Sequence, residues 1–276
     1  MTSNAPATTA STSRARRRGP QARGLALAAA IAAASPSHAA DEPIADGQWR
    51  GSAGAALSAS SGNTRSSSLL LSADLARLTE ADKIGLGGNI QYARSEVDGR
   101  KETTAHQIGV FGQYDRNLGP RLFAFGRLAL DRDQIVDLDL RTAANAGVGW
   151  KLVQTRPLRF TVFAGLGLTE DRYGAPQTID GEVGRSFRRT TLLLAEESEH
   201  ALGETTTFKQ RLELLPAIAG DEGHRARLRA DLGVALNSTM SLTVGLISDT
   251  NTAPPAGRSS TDTGLFTGIN VKLGPS

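Results

Sequence analysis

From Trp49 to Leu273 the chain is built of short segments in which apolar residues alternate with polar or small ones. The clearest is 224–236, H-R-A-R-L-R-A-D-L-G-V-A-L, where Ala226, Leu228, Ala230, Leu232, Val234 and Leu236 share one parity. Arg225, Arg227, Arg229, Asp231 and Gly233 share the other. Side chains on a strand point alternately to its two faces, so this segment has one apolar and one charged face. We read twelve such strands, near 48–60, 65–78, 82–94, 104–117, 121–133, 138–153, 158–171, 188–201, 205–217, 224–236, 240–249 and 261–273. Each reaches or exceeds the roughly nine to eleven residues that a tilted strand needs to cross a bilayer.

The connections alternate in length. Turns rich in Gly, Pro, Asn and Thr lie at 79–82, 118–120, 155–157, 202–204 and 237–239. Between them come 60–64, 95–103, 134–137, 172–187, 219–223 and 250–260. Short turns on one side and longer loops on the other predict an up-and-down antiparallel transmembrane β-barrel, with both termini at the short-turn rim. An Arg or Lys at the lipid midplane costs about 2–4 kcal/mol, so the charged parity belongs inside. That makes Arg127, Asp131, Arg141, Lys209, Arg211, Glu213, Arg227, Arg229 and Asp231 lumen-facing. Leu192-Leu193-Leu194 hides the parity of its strand. A soluble sandwich or lipocalin-like barrel allows the same alternation. The membrane reading is favoured because about twelve strands enclose more width than apolar side chains fill, and because the apolar sets hold few aromatic residues.

Four local motifs occur in order along the chain: Ser61-Gly62-Asn63-Thr64; Leu138-Asp139-Leu140-Arg141 ahead of Gly147-Val148-Gly149-Trp150; Leu194-Ala195-Glu196-Glu197-Ser198; and Asp262-Thr263. In order and spacing the chain resembles the salt-induced outer-membrane protein family (YdiY-like), a group of Gram-negative proteins with a domain of unknown function. The resemblance covers about Trp49 to Leu273 and implies an outer-membrane β-barrel with no established activity, so no catalytic residue is carried over. Gly268-Ile269-Asn270-Val271-Lys272-Leu273 resembles the terminal signal of such barrels, with leucine in the aromatic's place and three residues after it.

The first residues change the charge picture. Arg14, Arg16, Arg17, Arg18 and Arg23 precede an apolar run from Leu25 to Ala34 and a small-x-small site at Ser37-His38-Ala39. We read residues 1–39 as a cleaved signal peptide and 40–276 as the barrel. That segment holds 5 of the 31 Lys and Arg and none of the 28 Asp and Glu, so the remainder carries 26 basic against 28 acidic residues, a balance of −2. Nucleic-acid binding has no support from such a balance. The absence of cysteine excludes a disulfide scaffold and a thiolate metal site or nucleophile.

Candidate chemistry is sparse. Glu196 and Glu197 are adjacent, so a strand sends them to opposite faces and they do not share a metal or acid-base site. Asp131, Asp133, Asp137 and Asp139 lack the spacing of a calcium loop and read as surface charge. A hydrolase would need a serine and a histidine on one face, and His106, His200 and His224 all fall near strand ends. The expected protein is a non-enzymatic outer-membrane barrel without cofactor or metal, structural, envelope-stress related or a narrow pore. Its expected partners are outer-membrane lipid, lipopolysaccharide and, during insertion, the barrel-assembly machinery. The competing readings are an outer-membrane enzyme acting on lipid and a soluble periplasmic binding barrel.

Overall fold

The computed structural model describes residues 45–275, except 61–63, 98–99, 180, 221–222 and 255–259. The signal-peptide segment and most of Ser61-Gly62-Asn63-Thr64 therefore lie outside the described residues. The strands are β1 (Trp49–Ser60), β2 (Thr64–Leu78), β3 (Asp82–Val97), β4 (Arg100–Asn117), β5 (Leu122–Asp133), β6 (Leu138–Gln154), β7 (Leu158–Ile179), β8 (Glu182–Ala201), β9 (Thr206–Leu215), β10 (Ala217–Gly220), β11 (Arg225–Ala235), β12 (Met240–Asn251) and β13 (Thr261–Leu273). All pair antiparallel, β1 to β9 each with its sequence neighbours around the wall, β11 with β9 and β12, and the short β10 with β8. The ring closes where β1 meets β13, from Gly51 opposite Leu273 to Ala56 opposite Gly268.

The thirteen segments make twelve staves. A proline has no amide hydrogen to give a ladder, and at Pro216 the stave read as 205–217 breaks into β9 and β10. Both parts still pair with β8. The Pro216 carbonyl accepts the Leu192 amide at 3.0 Å, so the break costs little pairing.

Two connections read as long loops are instead strand. Residues 95–103 continue β3 to Val97 and begin β4 at Arg100. Residues 172–187 are the end of a hairpin, β7 running to Ile179 and β8 starting at Glu182. Gly174, Pro176, Gly181 and Gly184 suggest a loop, but only Gly181 takes a left-handed backbone, at φ +85°, where the hairpin turns. The hairpin does not stand clear of the barrel. Tyr173, Ile179 and Phe187 are buried with Leu138, and Val136 and Ala253 pack against them. Ala253 follows β12, three staves around the wall from β8, so this apolar cluster reaches over the opening as a cap.

The wall has two unlike faces. Leu71, Leu86, Ile90, Ile108, Val110, Leu128, Val148, Trp150, Leu166, Leu194, Leu214, Val244, Leu265 and Ile269 are among the apolar side chains exposed on one face. The charged side chains of alternate parity lie on the other. Asp74 on β2 is within electrostatic reach of Arg229 on β11 and Lys209 on β9, strands that do not neighbour it. Only the interior of a closed ring permits that, so the charged face lines the lumen. The Leu192–Leu194 run resolves accordingly: Leu193 is buried with Phe163, and Leu194 is exposed outside.

Candidate functional site

The lumen carries most of the chemistry, and its layers follow from strand register. Toward the short-turn end, Phe163 packs edge-on to Phe123 and Phe125, with ring centroids 5.7 and 5.6 Å apart. Leu193 completes this buried cluster. The Arg211 guanidinium lies over Phe163 at 5.1 Å. It donates to Glu197 at 2.7 Å and to Glu213 at 2.9 and 2.7 Å.

Three glycines, Gly87 and Gly245 midway and Gly149 toward the short-turn end, each leave room for a ring from a neighbouring strand, and a cation covers the ring. A Cβ on Gly87 would come 2.6 Å from Phe111, and one on Gly149 or Gly245 would enter the ring of Phe123 or Phe266. Arg127 stacks on Phe111 at 3.7 Å, Lys151 on Phe123 at 5.6 Å and Arg229 on Phe266 at 5.7 Å. A cation over an aromatic face is attracted by the ring quadrupole, and each stack fixes a long side chain that would otherwise sweep the lumen. Arg127 also donates to Gln113 at 3.2 Å, and Arg229 to Asp231 at 2.7 Å. Lys209 lies 3.6 Å from Glu199. Across the lumen, Arg127 is within reach of Arg211, Glu213 and Arg227.

Under the cap, two carboxylates each hold two arginines. Asp171 accepts Arg141 at 2.6 and 2.7 Å and Arg189 at 2.6 Å. Asp249 accepts Arg225 at 3.0 Å on both oxygens and Arg227 at 3.0 Å. Asp131 sits opposite Arg141 in the β5–β6 ladder, but Arg141 turns the other way, to Asp171. The partners Asp74, Asp171, Arg189 and Asp249 and the luminal phenylalanines were not singled out in the sequence, and Glu197 was read only as the neighbour of Glu196. Parity contains the signal for two of them, since Phe266 shares the set of Gly264 and Gly268, and Asp249 the set of Gly245.

The other candidates are scattered. Glu197 enters the lumen, whereas Glu196 lies outside and accepts Gln210 at 2.5 Å. Glu196 edges an outer groove of about 430 Å³ among Leu122, Trp150, Val162, Leu194 and Leu212. His106 packs edge-on to Tyr92 at 5.6 Å, and His200 lies 6.0 Å from Phe208. His224 Nδ1 accepts the Ala217 amide at 3.1 Å. Asp133 accepts Gln107 at 2.7 Å and the Ile135 amide at 2.9 Å. Among the described residues no three His, Cys, Asp or Glu side chains come together as metal ligands. At the short-turn rim, outside the spanning strands, Asp46 accepts Arg50 through both oxygens at 2.7 Å and the Gln48 amide at 3.0 Å. The Arg50 hydrogen bonds, with that amide, hold its carboxyl well below the usual carboxylate range.

A family model described as "Protein of unknown function, DUF481" matches residues 53–273. No curated protein matches the chain. Solved structures with a similar shape include a NanC porin, at 10% identity and TM-score 0.46, covering 81% of this chain and 97% of the porin. The translocator domain of the autotransporter NalP from Neisseria meningitidis aligns at 15% identity and TM-score 0.47, over 82% of this chain and 87% of that one. An outer membrane channel from Pseudomonas putida F1 aligns at 11% identity and TM-score 0.45, over 87% and 99%.

Proposed function

We propose, for a chain that belongs to the DUF481 family of proteins of unknown function, that it is an exported outer-membrane barrel whose lumen is blocked by paired charge and a cap. It serves the envelope as a structural element or as a pore of very low conductance. One observation carries the location. Thirty large apolar side chains are exposed among the described residues, and most lie on the outer face of one ring. Soluble monomers rarely expose contiguous apolar patches beyond a few hundred Å², and a lipid belt is the surroundings in which this face costs nothing. That argues against the soluble periplasmic barrel. Residues 1–39 supply the export signal in this reading.

The same observation extends to partners. At the long-hairpin rim the outward Glu170 holds Arg172 at 2.8 Å and Arg188 at 3.2 Å, and Arg94 lies over Tyr92 at 5.2 Å. Cations at that height suit the phosphates of lipopolysaccharide, and the terminal strand β13 suits recognition by the barrel-assembly machinery. A lipid-acting enzyme finds no support, because His106, His200 and His224 are engaged with Tyr92, Phe208 and a backbone amide. Single-channel recording on the refolded protein tests the functional reading. Small, rare or absent current is expected, and a large porin-like conductance would overturn the blocked lumen.

A further inference from the structure

Charge is nearly balanced along most of the lumen, but not under the cap. There Arg141, Arg189, Arg225 and Arg227 share two ion-pairing carboxylates, Asp171 and Asp249, while Asp131 and Glu213 stand opposite Arg141 and Arg227 in their ladders. The two arginine–carboxylate–arginine bridges are not separate: Arg225 is within electrostatic reach of Arg141 and Arg189 as well as Arg227, and Asp171 of Arg225. Guanidinium groups so close in a low-dielectric interior repel one another unless further negative charge joins them. One donor is also unmet. The Arg225 Nε is buried and has no hydrogen-bond partner among the described residues, since Asp249 is served by the Nη2 of the same side chain. A buried donor without an acceptor carries the full cost of its lost hydration.

We propose that this cluster is a binding site for a small free oxyanion carrying two negative charges, of the phosphate or sulfate class. The buried, unmet Arg225 Nε and the guanidinium groups of Arg141, Arg189 and Arg227 around it suit such an ion, and the planar forks of several arginines match its several oxygens better than they match a spherical halide. Arg227 is the least buried of the four, its side chain 37% exposed against 6% for Arg189, and marks the side from which the ion enters. The apolar cap of Leu138, Tyr173, Ile179 and Phe187 roofs the opposite side: Tyr173 is within electrostatic reach of Asp171, Arg141, Arg189 and Arg225. The site goes beyond the pore reading, since it is filled at equilibrium whether or not the barrel conducts.

Isothermal titration of the full refolded chain in uncharged detergent with inorganic phosphate, at constant sodium chloride, tests it. One phosphate per barrel is expected. Arg225→Gln should weaken binding by about tenfold or more, the scale of one charged hydrogen bond, while leaving Asp249 its bond to Arg227. Arg116→Gln, changing an exposed arginine near Asp82, should leave binding intact. Glycerol phosphate should bind more weakly than inorganic phosphate under the cap. Absence of a phosphate site, or equal affinity in Arg225→Gln, would overturn the site; glycerol phosphate binding as tightly would overturn its assignment to a free ion. If Arg225→Gln does not fold, Arg227→Gln is read in its place with the same expectation.

Discussion

At Gly149 a single methyl group decides whether two strands fit. Its Cβ would enter the ring of Phe123, whereas one on Gly85 would meet nothing within 4 Å. Gly149→Ala should therefore destabilise the barrel by about 1–3 kcal/mol, the usual cost of overpacking, and Gly85→Ala should stay within about 0.5 kcal/mol. Equilibrium unfolding from lipid vesicles measures both. Asp46 supplies a second residue-scale test. A carboxyl depressed in the folded state contributes stability above its unfolded pKa of about 3.9 and loses it as pH falls through the folded value. The Asp46 resonance should thus titrate below the usual carboxylate range, and Arg50→Gln should return it there. Arg50 Nε also donates to the Pro275 carbonyl at 3.3 Å, so the same change loosens the end of the chain beyond β13.

At the scale of the element, the two faces of β11 predict opposite tolerance along one strand. Leu232 lies mid-strand opposite Val244 and Phe208, and Leu236 lies in the turn after Ala235, 56% exposed. Leu232→Arg should cost about 2–4 kcal/mol of insertion free energy and Leu236→Arg about 0–1. Equal costs in a folding measurement into lipid would reject a membrane around this strand. The β7–β8 hairpin predicts local rather than global stability. Phe187→Ala removes a ring that packs edge-on to Tyr173 at 5.9 Å. Amide exchange should then quicken over 173–179 and 182–187, with β3 and β4 unchanged, because their ladder is independent of the cap. Uniform quickening of all strands would show that the hairpin is part of the global fold.

For the whole molecule, closure between β1 and β13 joins the twelve staves edge to edge, as strands in lipid require, and among the described strands only the short β10 has a partner on one side alone. The native protein should migrate on a gel differently before and after heating and should fractionate with the outer membrane; recovery in the soluble periplasm with no heat shift would sink the membrane reading. Blocking of the lumen is also a property of the whole. Arg227→Ala with Arg229→Ala removes two long side chains from one wall, and residues 174–186 replaced by a two-residue turn removes most of the hairpin end. Each should raise single-channel conductance, and the combination should raise it most, because cap and charge lie in series along one path. Unchanged silence in all three variants would favour a structural role over a pore.

Alternation along a strand is a local property, and it carries to any fold the strand enters. The apolar parity of 226–236, the tight turns and the count of twelve staves are therefore legible from residues alone. Register and distance across the lumen are not local. Arg141 lies opposite both Asp131 and Asp171 in its two ladders and chooses Asp171, where Arg189 converges from the next strand. The excess of arginine under the cap exists only because β6, β8 and β11 bring their upper ends together around the ring. The hairpin eluded the sequence because its glycines and Pro176 speak for a loop, while the apolar contacts that order it come from Leu138, Val136 and Ala253. Sequence by itself determined which side chains share a face, since backbone geometry fixes that within each strand. Tertiary structure alone decided which charges meet and what roofs the lumen, since those depend on strands far apart in the chain.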